Sequence, residues 1–129
     1  MIIQKNTVNT CVFSLAERTT LTPVYYLFAF TNTQDDTVLT FTCTDISVNK
    51  LRYNEFEIEE TQSEDRLTGK ITLDLTGSYT YEIYEQSSST NLDLASTGNL
   101  VEIGKIDVKG AEVEDETFTE TRTIGVFND

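Results

Sequence analysis

Histidine and tryptophan are both absent from the 129 residues, proline occurs once, cysteine twice, and 9 Lys+Arg stand against 22 Asp+Glu. Without imidazole there is no ordinary serine or cysteine triad, no histidine proton shuttle and no zinc site that needs a nitrogen ligand. Nine basic residues scattered along a chain of net charge -13 make no clustered phosphate-binding patch, so a nucleic-acid partner is not expected. No stretch approaches the ~20 apolar residues of a spanning helix. The N-terminal MIIQKNTVNT, in which Ile2-Ile3 runs straight into Gln4 and Lys5, reads as neither a signal peptide nor a membrane anchor. A disulfide could join only Cys11 to Cys43; free, buried thiols are the expectation, with synthesis in a reducing cytoplasm. One domain suits this length.

What the chain has in quantity is threonine, 22 residues, alternating with Val, Ile, Phe and Tyr in short runs broken by Asn, Asp, Ser and Gly. That is the composition of strands. Thr7–Leu15 alternates with Cys11, Phe13 and Leu15 on one face. Val24–Phe30 is apolar throughout and reads as a central strand buried on both faces, and Asn32–Asp36 turns it into a returning strand over 37–44. In 53–60, Phe56 and Ile58 point inward, and Glu57, Glu59 and Glu60 are expected on a solvated outer face with Glu55. Gly69–Leu75 resumes the alternation with Ile71, Leu73 and Leu75 inward. Tyr79, Tyr81 and Ile83 share a face of the next strand. The spacing from Leu75 through Gly77 to Tyr79 fits a tyrosine corner, or else two ordinary core tyrosines. Residues 86–99 form a long polar loop whose large apolar residues are Leu92 and Leu94, and loops of this length are commonly functional or mobile. In the last strong strand, 100–108, Gly104 signals a bulge or a close backbone approach. The sum is an all-β fold: an antiparallel β-sandwich of about seven strands over 1–109, immunoglobulin-like, with a small β-barrel as the alternative.

From Gly110 the character changes, because residues 110–129 carry six acidic residues and one basic, Arg122. Glu112–Glu116 alone would be a solvated tail. Thr117–Ile124 alternates, however, and Ile124, Val126 and Phe127 are apolar, which a solvated tail does not need. The expectation is an acidic C-terminal extension that lies on a neighbouring surface or adds a strand to a partner's sheet edge; the competing reading is a strand that completes its own domain.

Few groups suggest chemistry. Neither cysteine has an activating neighbour in sequence. Carboxylates are abundant, but acid/base work needs two of them in unlike, partly buried environments. Asp35-Asp36 and Glu112–Glu116 offer oxygen ligands for calcium without the spacing of a calcium loop. No catalytic residue, cofactor or metal is therefore expected. Tyr25, Tyr53 and Tyr84 are the aromatics available to a sugar-binding surface.

The segments NTVNTCVFSLAERTTLTPVYYLFAFTN, TDIS, RYNEFEIEE, LTGSYTYEIYEQ and TNLDLASTGNLVEIGKIDVKG together resemble a short structural protein of crAss-like tailed bacteriophages that infect gut Bacteroidales. The likeness spans about residues 1–109. It implies a virion component assembled in the host cytoplasm: an auxiliary or decoration protein on the capsid, with the major capsid protein, other virion proteins or copies of itself as partners and no enzymatic activity. The residues expected to touch that partner are Phe118, Arg122, Ile124, Val126 and Phe127 in the extension and Leu92 and Leu94 in the loop. A different virion part, such as a head-fibre base, neck or tail subunit, and a module binding host glycans are the alternatives.

Overall fold

A computed structural model describes residues 1–50 and 52–110. Eight strands follow in chain order: β1 (Ile2–Gln4), β2 (Val8–Phe13), β3 (Tyr25–Asn32), β4 (Val38–Thr42), β5 (Asn54–Glu60), β6 (Lys70–Ile71), β7 (Gly77–Gln86) and β8 (Leu100–Lys109). Single 3-10 turns occupy Ala16–Arg18 and Leu94–Ser96. The strands form a five-stranded sheet in the order β1-β8-β7-β3-β4 and a three-stranded sheet in the order β2-β5-β6.

β3 and β4 form the expected hairpin, closed by Asn32 N–H donating to Thr37 O at 2.9 Å and Asp36 N–H donating to Asn32 O at 2.9 Å. β3 lies inside its sheet between β7 and β4, and its apolar run is buried on both faces, from Tyr26 to Phe30. A strand buried on both sides has no polar face to display, so the run is continuous rather than alternating. The inner faces of the two sheets meet through aromatic rings: Phe28 of β3 packs edge-on against Phe56 of β5 at 5.0 Å, and Phe13 of β2 lies 5.6 Å from Tyr81 of β7. Tilted and edge-on pairs at such separations are the favoured aromatic geometries. Leu15, Ile58, Ile71, Ile83 and Ile106 fill the same core.

Several expectations are corrected. The sheets are mixed, because β1 pairs with β8 and β5 with β6 in parallel. Only Lys70 and Ile71 of the expected 69–75 strand pair regularly. Ile71 and Leu73 are buried, but Leu75 is 40 % exposed, since the chain has left the sheet by then. Glu60, expected on the outer acidic face, is fully buried. Gly104 marks a close approach: a Cβ there would lie 2.5 Å from the Tyr81 ring, while the register shift falls at Ile83/Tyr84. Both cysteines are free thiols. Tyr79 Oη donates to Leu75 O at 2.8 Å, so the phenol does reach back four residues to the backbone as the corner reading requires.

Candidate functional site: interaction surfaces

The polar groups with the most unusual surroundings are three carboxylates, and all three hold the chain together. Glu60 ends β5 on the core side and accepts hydrogen bonds from the N–H groups of Asn6 at 2.9 Å and Leu73 at 2.8 Å. Glu85, on the inner face of β7, accepts from Thr20 N–H at 2.7 Å, Thr20 Oγ1 at 3.0 Å, Leu21 N–H at 3.1 Å and Asn99 Nδ2 at 3.3 Å. Burial alone would raise the Glu85 carboxyl, but these donors outweigh it and hold the group below its ordinary range. Asp45, in the segment between β4 and β5, accepts from Ser47 N–H and Oγ, from Asn54 Nδ2 and from Glu55 N–H. Desolvation again pulls upward, and again the hydrogen bonds prevail and the group sits low. Asn54 completes the junction by accepting from Leu15 N–H at 2.9 Å. Each carboxylate thus satisfies backbone amides at its junction, the buried Leu73 N–H among them.

The thiols are equally quiet. Burial raises Cys11 to about 11 and, with a smaller push from Cys11, raises Cys43 to about 12. Thiols so far above neutrality are poor nucleophiles. Among the described residues no group of three His, Cys, Asp or Glu side chains could hold a metal ion. Asp35 is occupied by Thr37, whose N–H and Oγ1 donate to it at 3.1 and 2.8 Å.

The surfaces are more distinctive. On the outer face of the three-stranded sheet, Val8, Thr10 and Val12 of β2 stand opposite Glu59, Glu57 and Glu55 of β5, giving an acidic row beside an exposed aliphatic one. Loop 86–99 is tied down. Gln86 Nε2 donates to the Asn91 carbonyl, Asn91 Nδ2 and Thr97 Oγ1 donate to Gln86 Oε1, and Asp93 caps the 3-10 turn by accepting from Ala95 N–H. Of its two candidate contact residues, Leu92 is half-buried and offers its carbonyl to Thr40 Oγ1 at 2.8 Å, whereas Leu94 is exposed. Tyr25 and Tyr84 share the outer face of the five-stranded sheet, but Tyr53 lies next to β5 in the other sheet, so the three do not make one platform. Phe118, Arg122, Ile124, Val126 and Phe127 lie outside the described residues.

The two edges of the five-stranded sheet differ. At β4, Arg66 donates from Nε to Thr40 O and from Nη2 to Thr40 Oγ1, both at 2.7 Å, and Thr42 N–H donates to Arg66 O at 2.8 Å. That edge is covered. At the other edge, β1 pairs with Asp107–Lys109 of β8, and the Met1 amino group extends that cover by donating to Lys105 O at 3.4 Å. Beside β1 lies a groove of about 570 Å³ toward β2, lined by Met1 and Ile2, by residues 10–14, by Arg18 and Tyr81, and from β8 by Glu102. Arg18 bridges it, donating from Nη1 to Val101 O and to Glu102 Oε1, which it also meets as a 2.9 Å ion pair. Tyr81 Oη donates to Glu102 Oε2 at 3.1 Å; burial first, and then the Glu102 charge, push that phenol up to about 12.

Sequence reasoning missed Glu60, Glu85, Asp45 and this lateral groove. For the two glutamates a signal was present: Glu60 shares parity with Phe56 and Ile58, and Glu85 with Tyr81 and Ile83. No protein-family model, curated protein or solved structure compared with the chain gave a match.

Proposed function

We propose that the chain is a non-enzymatic structural protein of a phage virion, an auxiliary protein that coats the head by binding the major capsid protein. The observation that carries this reading is how the reactive groups are used: the buried Glu60 and Glu85 and the half-buried Asp45 each accept backbone amides, and both thiols are held far from their reactive form. Among the described residues, what is left for function is surface, comprising an acidic and aliphatic sheet face and an ordered loop. The segment likeness to crAss-like phage proteins supplies the virion context. A repeated component gains from avidity on a lattice, and acidic outer faces keep particles apart. Within this reading the two sheets form an immunoglobulin-like sandwich, supported by the Tyr79-to-Leu75 hydrogen bond.

Copy number in purified virions tests the proposal. A head-coating protein repeats with the symmetry of a closed shell and is present in many copies. A count of a dozen or fewer would move the chain to a neck, tail or fibre position and overturn the capsid reading. Glycan-array binding that depends on Tyr25 or Tyr84 would replace it with a host-glycan module.

A further inference from the structure

Two adjoining surfaces carry opposite charge, and neither is neutralised within its own chain. The segment between β4 and β5 is held at its root by Asp45, which accepts from Ser47 N–H, Asn54 Nδ2 and Glu55 N–H, and by Ile46 N–H, which donates to Glu55 O at 2.8 Å. Its turn closes through Arg52 N–H and Tyr53 N–H, both donating to Asn49 O at 3.1 Å. So fixed, the segment displays Val48 at 94 % exposure, Ile46 at 45 % and the exposed cations Lys50 and Arg52. Turns favour Asn, Asp, Ser and Gly, for which a nearly bare valine is no substitute. Val48 buries almost nothing in its own chain, and two of only 9 Lys+Arg stand beside it.

The second surface is the outer face of the three-stranded sheet. Val8 and Val12 lie opposite Glu59 and Glu55, with Thr10 opposite Glu57 between them. Successive glutamates along that face are ~7 Å apart. Among the described residues none of the three forms an ion pair, and neither do Lys50 and Arg52; Lys50 Nζ donates to Ser47 O at 2.9 Å. The face has one cation of its own, Lys70 of β6, beside Glu59. The other sheet is partly roofed on its outer side, where Leu27 and Ala29 are buried and loop 86–99 reaches over β4 through Leu92 O to Thr40 Oγ1. The face of β2 and β5 lacks such cover, as the exposure of Val8, Val12 and Glu57 shows.

Two aliphatic side chains and two cations on one patch match two aliphatic side chains and three carboxylates on the other. A two-fold interface needs a self-complementary surface, in which the contact of the first patch with the second is made twice. Contact of face with face would set glutamates against glutamates, and contact of loop with loop would set cations against cations. Only the crossed arrangement is attractive, and an unrelated partner would account for one patch but not for both. The net charge of -13 opposes association at long range. At 0.15 M salt that repulsion is screened beyond ~8 Å, whereas directly touching groups keep their attraction. We propose that the chain forms a two-fold dimer in which the Val48 loop of each copy docks on the β2–β5 outer face of the other, Lys50 and Arg52 against Glu55 and Glu57. The proposal goes beyond the capsid reading and does not depend on it.

The test is a charge swap in the full chain, read by sedimentation equilibrium at about 0.15 M salt. The natural chain should rise with concentration from 14.6 kDa to twice that mass and stop there. Lys50→Glu/Arg52→Glu and Glu55→Lys/Glu57→Lys should each weaken self-association about tenfold or more, because like charges then meet at both contacts. Mixed one to one, the two variants should dimerise with each other, since the loop carboxylates of one meet the face lysines of the other and the native loop meets the native face. Circular dichroism checks that each variant is folded. Val48→Asp, at a side chain its own fold does not bury, should also abolish the dimer without changing Tm, and it stands in for any swap that fails to fold. A natural chain that stays at 14.6 kDa up to about 1 mM, association untouched by the variants, folded variants that fail to pair, or masses growing past the dimer would overturn the proposal. None of these readouts involves phage particles: a dimer absent from virions keeps this inference and loses the capsid reading, and a monomer that coats heads does the reverse.

Discussion

Glu85 couples three segments far apart in sequence, receiving the Thr20 and Leu21 amides from one side and Asn99 from another. Truncating it leaves the partly buried Thr20 and Leu21 amides without their carboxylate partner, so Glu85→Ala should lower stability by about 2 kcal/mol and Glu85→Gln by about 1 kcal/mol. Because the folded carboxyl is held below its unfolded value of about 4.3, its contribution is complete above that pH and is lost as pH falls through the lower folded value. Urea midpoints from pH 6 down to pH 3 should therefore drop more steeply for the natural chain than for Glu85→Gln; parallel curves would show that Glu85 is not the responsible group. The alternation already contained this residue, since Tyr79, Tyr81, Ile83 and Glu85 share one face. What hid it, as with Glu60, is that a carboxylate on a core face is disfavoured until its donors are known, and those donors sit up to 65 residues away.

At the scale of elements, the edge of β4 is controlled by a residue outside any strand. The planar guanidinium of Arg66 reaches both the carbonyl and the hydroxyl of Thr40, and its own carbonyl receives the Thr42 amide. Arg66→Ala should cost about 1–2 kcal/mol, speed hydrogen exchange at the Thr42 amide and promote aggregation through the bared edge. Arg66→Lys should restore only a minor part, because an ammonium cannot make the paired fork. Unchanged Thr42 exchange in Arg66→Ala would show that the strand edge is protected by other means. Elements joined by short connections were legible: the β3–β4 hairpin follows from an apolar run, a polar turn and a second run. The parallel pairings were not, because β1 with β8 and β5 with β6 are long-range choices that no local period encodes. The two paired residues of β6 are too few to show that Leu75 has left the core.

For the whole molecule, the missing histidines and the charge of -13 act together on stability. With no imidazole, no side chain of ordinary pKa titrates between about pH 6 and 8, and burial moves both thiols upward out of that window. Stability should be flat there. The excess of carboxylates repels itself, most visibly along Glu55, Glu57 and Glu59, and this repulsion is screened as the Debye length shrinks from ~30 Å at 0.01 M salt to ~10 Å at 0.1 M. Raising salt at pH 7 should therefore increase Tm by several degrees, equivalent to about 1 kcal/mol. Below pH 5 two effects oppose each other. Neutralisation toward the pI near 4.2 relieves repulsion, while protonation of the low-lying Glu85 and Asp45 removes stability as pH falls further. The salt effect should accordingly shrink near the pI, and Tm should collapse below it at any salt. Thermal scans by circular dichroism across pH 3–8 at two salt concentrations check both limbs. A salt-independent Tm at pH 7 would mean that the acidic row is not a source of net repulsion. A Tm that moves by more than about 2 °C between pH 6 and 8 would show that some group other than a side chain of ordinary pKa changes its charge on unfolding in that window.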